Sequence, residues 1–356
     1  MLHLHIGLDI YGAGNIGDDW MLAGFLGELA RTGARARLTC CIPRAAAPMQ
    51  QRFPQVEWHP ADPMVRRQLI SEADVWLGLG DTPFQCCVGP YLLDHIVADL
   101  TDAEAAAVPA YFLGVGVDEA EAMAMPQTRF ILERAAGIWT RDPLSAELLQ
   151  QTRAQARIFP AADLAHAYFQ DQPAPAAIEH LDGLVLHVEK SAQLSRDALS
   201  QFLLSQPAGR RLLWIAQEVR PLAVSEMLLW QEFSVAEHAA LRLCLPDYAQ
   251  GKLAAFIQPY DRLRACLTTR YHSALAAAWR GAAVSVFARS LKLKGLLQQI
   301  PLHRVQDLAI AASFSGALEL AQPAPLAALH RLAADARAAC HAFFDECGIR
   351  RPTAEP

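Results

Sequence analysis

The sequence predicts an α/β protein: two Rossmann-like domains facing across a cleft. Three observations predict it. Short apolar runs alternate with helix-patterned stretches along the whole chain. Several of those runs end in glycine, as in LGLGD and LGVGVDE. The alternation occurs twice, on either side of DQPAPAAIEH, a Pro-rich polar stretch at 171–180 that reads as a linker. The expected units are a first domain over 1–172, a second over 181–322, and a terminal helix over 323–350 packing back on the first. A chain of 356 residues suits two domains of ordinary size.

In order, LHLHIGLDIY reads as a strand, MLAGFLGELARTG as an amphipathic helix closed by Gly33, and RARLTCCI as a second strand, a βαβ opening. DPMVRRQLISEA is a helix, DVWLGLGD a buried strand, PFQCCVGPYLLDHIVADL partly helical, and VPAYFLGVGVDE a strand. TRFILERA, GIWT and RDPLSAELLQQ follow as helix, strand and helix. Asp142 is a natural cap there, with Pro143 at the first helical position. ARIFPAADLAHAYF completes the half. The second half repeats the scheme: LDGLVLHV, SRDALSQFLLSQ, RRLLWIA, PLAVSEMLLWQEF, LRLCLP, then ACLTT and AVSVF with a helix after each. Such alternation implies parallel sheets covered on both faces, with a ligand held at their carboxyl edges.

Composition removes several function classes. Apolar residues make up 53% and charged residues 19%, enough for two cores and too apolar for a disordered chain. A net charge of −6 argues against general nucleic-acid binding. The start, MLHLHIGLDIYG, has no basic leader, and no apolar run would span a bilayer. The expected location is the cytoplasm, with peripheral contact at the inner membrane face as a variant. Eight cysteines include the adjacent pairs Cys40–Cys41 and Cys86–Cys87 but no C-x-x-C, so buried free thiols are expected rather than a zinc site. His3 and His5 share a strand face, and satisfied histidines are preferred over a metal pair without a third ligand. No carboxylate cluster has metal spacing and no G-x-S-x-G elbow occurs, so no metal and no acyl-transfer nucleophile are expected.

Gly12-Ala-Gly14-Asn-Ile-Gly17 matches G-x-G-x-x-G between a strand and a helix. Asp18 and Asp19 would then stand where a pyrophosphate binds, and the second strand ends without the acid that holds a ribose. A dinucleotide site is therefore disfavoured. The loop reads instead as a tight turn, or as a carrier of Asp18 toward a ligand. Asp81 and Asp118, after glycine-ended strands, either touch a polyol or cap helices.

The densest functional signal is TTRYHSALAAAWRGAAVSVFARSLKLKGLL, residues 268–297. Arg270 and His272 stand where a strand gives way to a helix, and Lys292 and Lys294 open the next helix. Tyr260 to Arg304 contains eight Lys/Arg residues and one acid, Asp261, in a chain of net negative charge. Cations at helix starts oppose the helix dipole, so a purely structural sequence tends to avoid them. Paired helix N-termini with added cations suit an anion of high charge density. The competing readings are a solvated basic face for the lysines and a buried carboxylate partner for Arg270.

Five stretches, in order, resemble the polysaccharide pyruvyl transferase family. GNIGDD at 14–19 is similar to its opening G-N-x-G-D, and DVWLGLGD and VPAYFLGVGVDE to its glycine-ended strands, with Leu79 interrupting the first. IWTRDPLSAELL matches R-D-x-x-S at Arg141, Asp142 and Ser145. The last stretch matches R-x-H-S followed by G and K at Arg270, His272, Ser273, Gly281 and Lys292, with Ala283 in place of the usual Pro and Arg289-Ser290 in place of Tyr-Asp. The resemblance implies two domains similar to B-type glycosyltransferases and transfer of pyruvate as a ketal from phosphoenolpyruvate to a saccharide, often lipid-linked, with phosphate release and no other cofactor. Arg270, His272, Ser273, Lys292, Lys294 and Arg141 would bind the donor. Asn15, Asp18 and Asp81 would bind the acceptor. His272 would serve as general acid or protonate the departing phosphate, Arg270 would stabilise the anionic groups, and Asp18 would orient or deprotonate the acceptor hydroxyl. Two other readings stay open: a B-type glycosyltransferase using a nucleotide sugar, which needs an acid near the site where only Asp261 is visible, and a non-catalytic saccharide-binding relative. Oligomeric state is not encoded in any of these signals.

Overall fold

Strands buried on both faces need near-continuous apolar runs, and the chain supplies two sets of them. The computed structural model describes residues 1–42, 47–86, 89–152, 155–175, 180–187, 194–207, 211–219 and 226–349. It divides into two units. The first comprises Met1–Ala13, Asp18–Gln170 and His330 onward; the second comprises Gly14–Gly17 and Asp171–Leu329.

In the first unit β1 (Leu2–Ile6), α1 (Ile16–Thr32), β2 (Ala36–Ile42), α2 (Ala47–Arg52), β3 (Glu57–Pro60), α3 (Pro63–Glu72), β4 (Val75–Leu79) and α4 (Tyr91–Ala105) are followed by β5 (Ala110–Val115), α5 (Pro126–Arg134), β6 (Ala135–Thr140), α6 (Pro143–Gln151), β7 (Ile158–Pro160) and α7 (Ala165–Gln170). The parallel sheet runs β3-β2-β1-β4-β5-β6-β7, reversing direction beside β1. Such a switch point is where open α/β sheets place their ligand loops. Asp62 caps α3 by accepting from the Met64 and Val65 amides, and Asp142 caps α6 by accepting from the Ser145 amide. β3 has no counterpart in the sequence pattern, because EWHP is too short and polar to read as a strand. α1 starts at Ile16, ahead of the apolar stripe, so Asp18 and Asp19 fall in its first turn. The buried Asp19 carboxylate is met there by Arg52.

His3 and His5 are structural. The Thr39 hydroxyl lies 2.9 Å from His3 Nε2 and 3.0 Å from His5 Nδ1, and His3 Nδ1 donates to the Glu72 carbonyl. Burial, then the neighbouring His3 and Arg66, pushes His5 down to about 3. Cys40 and Cys41 are buried free thiols whose pKa burial raises; Cys87 lies outside the described residues. Among the described residues no helix is long and apolar enough to cross a membrane, and no group of three His, Cys, Asp or Glu could hold a metal.

The second unit contains β8 (Leu181–Val185), α8 (Arg196–Leu204), β9 (Leu212–Ile215), α9 (Glu226–Glu232), α10 (Val235–Ala239) and β10 (Leu241–Cys244). It continues with β11 (Leu263–Thr268), α11 (Tyr271–Trp279), β12 (Ala283–Phe287), α12 (Leu291–Gln299), β13 (His303–Val305), α13 (Ala311–Glu319), β14 (Gln322–Pro323) and α14 (Leu326–Glu346). The sheet runs β10-β9-β8-β11-β12-β13, all parallel, with β14 antiparallel to β12. Trp214, Phe202, Phe314 and Leu267 lie in its core. Both units are Rossmann-like, as the alternation predicts.

From His330 onward α14 belongs to the first unit, where Phe343 packs against Tyr111, Trp139 and Phe25. Its polar anchor is Glu28 on α1, which is 1% exposed and meets Arg31, Arg337 and His341. Glu28→Ala should lower unfolding stability by about 1–3 kcal/mol, because the guanidiniums lose a buried partner, while Glu28→Gln should lose less. Urea unfolding monitored by circular dichroism checks this; equal midpoints for wild type and Glu28→Ala would discount the anchor.

Candidate functional site in the second unit

Parallel strands deliver their last residues to one edge, and the second sheet delivers polar ones there. His187 follows β8, Gln217 and Glu218 follow β9, Thr269 and Arg270 follow β11, and Arg289 and Lys292 follow β12. These side chains form two connected clusters.

The first centres on Glu226, the opening residue of α9 and fully buried. One carboxylate oxygen accepts from Arg270 Nε at 2.5 Å. The other accepts from the backbone amides of Gln217 at 3.2 Å and Glu218 at 3.0 Å. Arg270 Nη2 also reaches the Glu218 carboxylate at 3.2 Å. The guanidinium is therefore fixed by two acids, 44 and 52 positions upstream. Such charge-assisted bonds make one rigid group of the β9 and β11 ends. Beside it Tyr260 donates to Ser273 at 2.8 Å, Ser273 donates to Gln217 Oε1, and Gln217 Nε2 donates to Asn15 Oδ1 at 3.1 Å.

Asn15 enters this cluster because Gly14–Gly17 belong to the second unit. The Ile16 amide donates to the Gln217 carbonyl at 3.2 Å and the Val219 amide to the Gly14 carbonyl at 3.1 Å, a short antiparallel bridge. The Gly17 amide donates to Asn15 Oδ1 at 3.1 Å. Two of the first amides of α1 are thus satisfied by protein, which removes the dinucleotide reading of the glycine motif. A Cβ at Gly17 would fall 2.1 Å from His272 Nδ1, so the loop can seat against His272 only as glycine.

The second cluster surrounds His187, which is 3% exposed. Its Nε2 lies 2.8 Å from Arg289 Nη2 and its Nδ1 lies 3.2 Å from Thr269 Oγ1. The Thr269 hydroxyl also accepts from the His187 amide at 3.1 Å. A guanidinium can only donate, so Nε2 is the acceptor, Nδ1 carries the proton, and the imidazole is neutral. Burial first, then Arg270, Arg289 and Lys292, holds its pKa well below the usual value.

Several expectations need correction. Arg270 is not poised alone for a donor: the buried-carboxylate reading of it is the observed one. Ser273 is fully buried and its hydroxyl is engaged by Tyr260 and Gln217. Lys292 lies on the His187 side of α12, whereas Lys294, two residues and about 200° further round the helix, is exposed. Arg141, Asp18 and Asp81 belong to the first unit and so do not join Arg270 within one unit. Arg141 is buried, 3.6 Å from the Asp142 carboxylate, and fills the space a Cβ on Gly116 would need. Asp18 and Asp81 both lie near Tyr11, whose phenol burial, then Cys40, Asp18 and Asp81, push well up. Asp81 takes a left-handed backbone (φ 62°) and its carbonyl accepts from the Gly116 amide.

Sequence reasoning missed Gln217, Glu218, Glu226 and His187. No spacing motif marks them. The available signal was their place as the first polar residues after buried strands, which applies to all but Glu226.

No family model matches the chain, and no curated protein matches it. Solved structures do match over nearly its whole length. UDP-N-acetylglucosamine 2-epimerase from Rickettsia bellii superposes with a TM-score of 0.64 at 11% identity, covering 97% of this chain and 95% of that one. The epimerase from Neisseria meningitidis bound to UDP-GlcNAc gives 0.58 at 10% identity, covering 97% and 99%. Anabaena HepE in complex with UDP-glucose gives 0.58 at 12%, covering 98% and 97%. The chain has the fold of B-type glycosyltransferases. Identities this low speak for fold alone. The expected pyruvyl transfer from phosphoenolpyruvate is not supported: the matching structures named above are UDP-N-acetylglucosamine 2-epimerases and a protein in complex with UDP-glucose, and Arg270, its proposed anion anchor, is gripped by Glu218 and Glu226.

Two outcomes test this geometry. Glu226→Ala leaves Arg270 and two amides without their acceptor and should cost about 3–5 kcal/mol, with Glu226→Gln milder because an amide oxygen remains. Chemical denaturation measures both. His187 stays neutral in the fold while the unfolded imidazole protonates near pH 6.5. Its stability contribution is therefore present above that pH and lost as pH falls. Between pH 6.5 and 5 wild type should lose stability more steeply than His187→Gln; parallel curves would show that His187 already titrates in the folded protein.

Proposed function

We propose that this chain is an enzyme acting on a nucleoside-diphosphate sugar, with the nucleotide held by the second unit. One observation carries the reading: both signs of charge converge at the carboxyl edge of β8, β9, β11 and β12. Arg270, Arg289 and Lys292 surround His187, and Glu218 and Glu226 flank Arg270. A nucleotide sugar needs both kinds of group. Its diphosphate wants cations, and its sugar and ribose hydroxyls want carboxylate or amide acceptors. Phosphoenolpyruvate needs cations alone, and carboxylates set against Arg270 oppose it.

In this reading Arg289 and Lys292 take the diphosphate, Arg289 through its planar fork and Lys292 as a point charge. Glu218 faces the hydroxyl-bearing parts. Arg270 orients the Glu218 carboxylate. The fold-sharing enzymes bound to UDP, UDP-GlcNAc or UDP-glucose support this substrate class.

Thermal-shift and calorimetric titration test the reading. Stabilisation by UDP, UDP-glucose or UDP-GlcNAc is expected, with none from phosphoenolpyruvate. Lys292→Ala should weaken UDP binding about tenfold without lowering the melting temperature. Sugar isomerised with the nucleotide retained would indicate epimerisation, and nucleotide release with a saccharide present would indicate glycosyl transfer. Stabilisation by phosphoenolpyruvate and by no nucleotide would reverse the reading.

A further inference from the structure

We propose that the turn after β1 is a proton-operated latch: a proton held in the Asp9–Arg66–Asp99 cluster keeps Asp9 clasped to α3, and its loss frees the turn. The device lies wholly within the first unit and is independent of the nucleotide-sugar reading.

Leu8 and Asp9 both take left-handed backbone, with φ 81° and 47°. Neither is glycine, and such a conformation persists only where its surroundings impose it. On one side the Gly7 amide donates to the Leu77 carbonyl at 2.9 Å, and a Cβ on Gly7 would fall 2.3 Å from the Trp76 ring. On the other, the Tyr11 hydroxyl donates to the Leu79 carbonyl at 2.6 Å. Between these anchors the Leu8 side chain is buried, and the Asp9 carboxylate reaches α3, where Arg66 Nη1 donates to Oδ2 at 2.9 Å.

Arg66 has a second acid to serve. Its Nε lies 2.9 Å from Asp99 Oδ1 on α4, and Trp76 Nε1 donates to Asp99 Oδ2 at 3.1 Å. His95 Nε2 stands 3.7 Å from Asp9 Oδ2 and 3.6 Å from Asp99 Oδ2, too far to hydrogen-bond either. Asp9 Oδ1 and Asp99 Oδ1 are buried and make no hydrogen bond. Two enclosed carboxylates therefore share one cation, and two of their oxygens lack a donor. One added proton makes the cluster neutral and supplies a donor; without it a net negative charge stays enclosed. Burial accordingly raises Asp9 to about 6 and Asp99 to about 7 against the pull of Arg66, and burial, then Arg66, lowers His95 to about 4.

The other groups around the cluster do not relieve it. On β1, His3 and His5 are held by Thr39, and His5 is neutral. Cys40 and Cys41 on β2 are thiols that burial, then Asp9, keep protonated. On β3, His59 Nε2 lies 4.0 Å from the Glu57 carboxylate. Asp62 caps α3, and Asp102 on α4 accepts from Arg67 at 3.0 Å. When the proton leaves, Asp9 is the acid that yields. The Asp99 side chain is 1% exposed and bonded to Trp76, whereas that of Asp9 is 11% exposed, on a backbone that relaxes by moving. Both pKa values are raised, so the clasp holds at low pH and is lost as pH rises through about 7. The freed turn lies at the switch point beside β1, where open α/β sheets place their ligand loops.

Hydrogen–deuterium exchange of the full chain, from about pH 5 to about pH 9 and corrected for the intrinsic pH dependence of exchange, tests the latch. The reporters are the Gly7 and Ala13 amides, which donate to the Leu77 and Ile10 carbonyls. Their protection should be flat below about pH 6 and fall about tenfold per pH unit above about pH 7, the slope for loss of one proton. Peptides from β5, in the same unit, should not follow. Asp99→Asn removes the competing charge and should keep the turn protected throughout; Asp9→Asn should also flatten the profile. Wild-type protection that ignores pH, a profile that β5 follows, or a pH dependence retained in Asp99→Asn would each overturn the proposal. If Asp99→Asn does not fold, Asp9→Asn decides, and a wild-type slope in that variant overturns it equally.

Discussion

The second unit depends on one buried carboxylate. Glu226 is fully enclosed, and both of its oxygens are used: one on Arg270, the other on the amides that follow β9. A charge in that position is tolerable only with full compensation, since desolvating a carboxylate costs several kcal/mol before any partner is counted. Compensation here comes from two strand ends at once. Gln217 and Glu218 cannot shift without exposing the acid, and Arg270 cannot turn outward without stranding it. Gln217 is thereby placed to receive Asn15 and Ser273, and Glu218 to face Arg270.

A division of labour between arginines follows. Arg270 is structural in the sense that its charge completes a buried ion cluster, although that cluster lines the functional edge. Arg289 is supported by a neutral ring on a threonine relay. The two guanidiniums stand at the ends of neighbouring strands, β11 and β12.

The Asp9 and Asp99 carboxylates of the first unit show the opposite electrostatics. Burial raises Asp9 to about 6 and Asp99 to about 7 even though Arg66 lies 2.9 Å from each, because one guanidinium serves two enclosed acids. Stability from this pair is present at low pH and lost as pH rises through those values, against the sense of His187. The contributions of these groups to the pH dependence of stability oppose one another.

What the sequence determined by itself is the architecture: apolar runs at strand length, glycine at strand ends and Asp-Pro caps specify parallel α/β units because each is a local preference repeated. It also marked Arg270 and His272, since cations at a helix start are conspicuous against the dipole. It did not determine what those residues meet. Glu226 reads as one polar position in a helix, and Glu218 as a loop residue. Only the return of the chain through a parallel sheet, with crossovers between neighbouring strands, sets them against Arg270. His187 carried no local signature, as a single histidine ending an apolar strand has the same sequence context whether it packs, titrates or positions another group. Its partners, Thr269 and Arg289, were decided by strand order, which puts β8 beside β11 and β11 beside β12. Pattern reads nearest neighbours along the chain, whereas charge pairing is a property of neighbours in space.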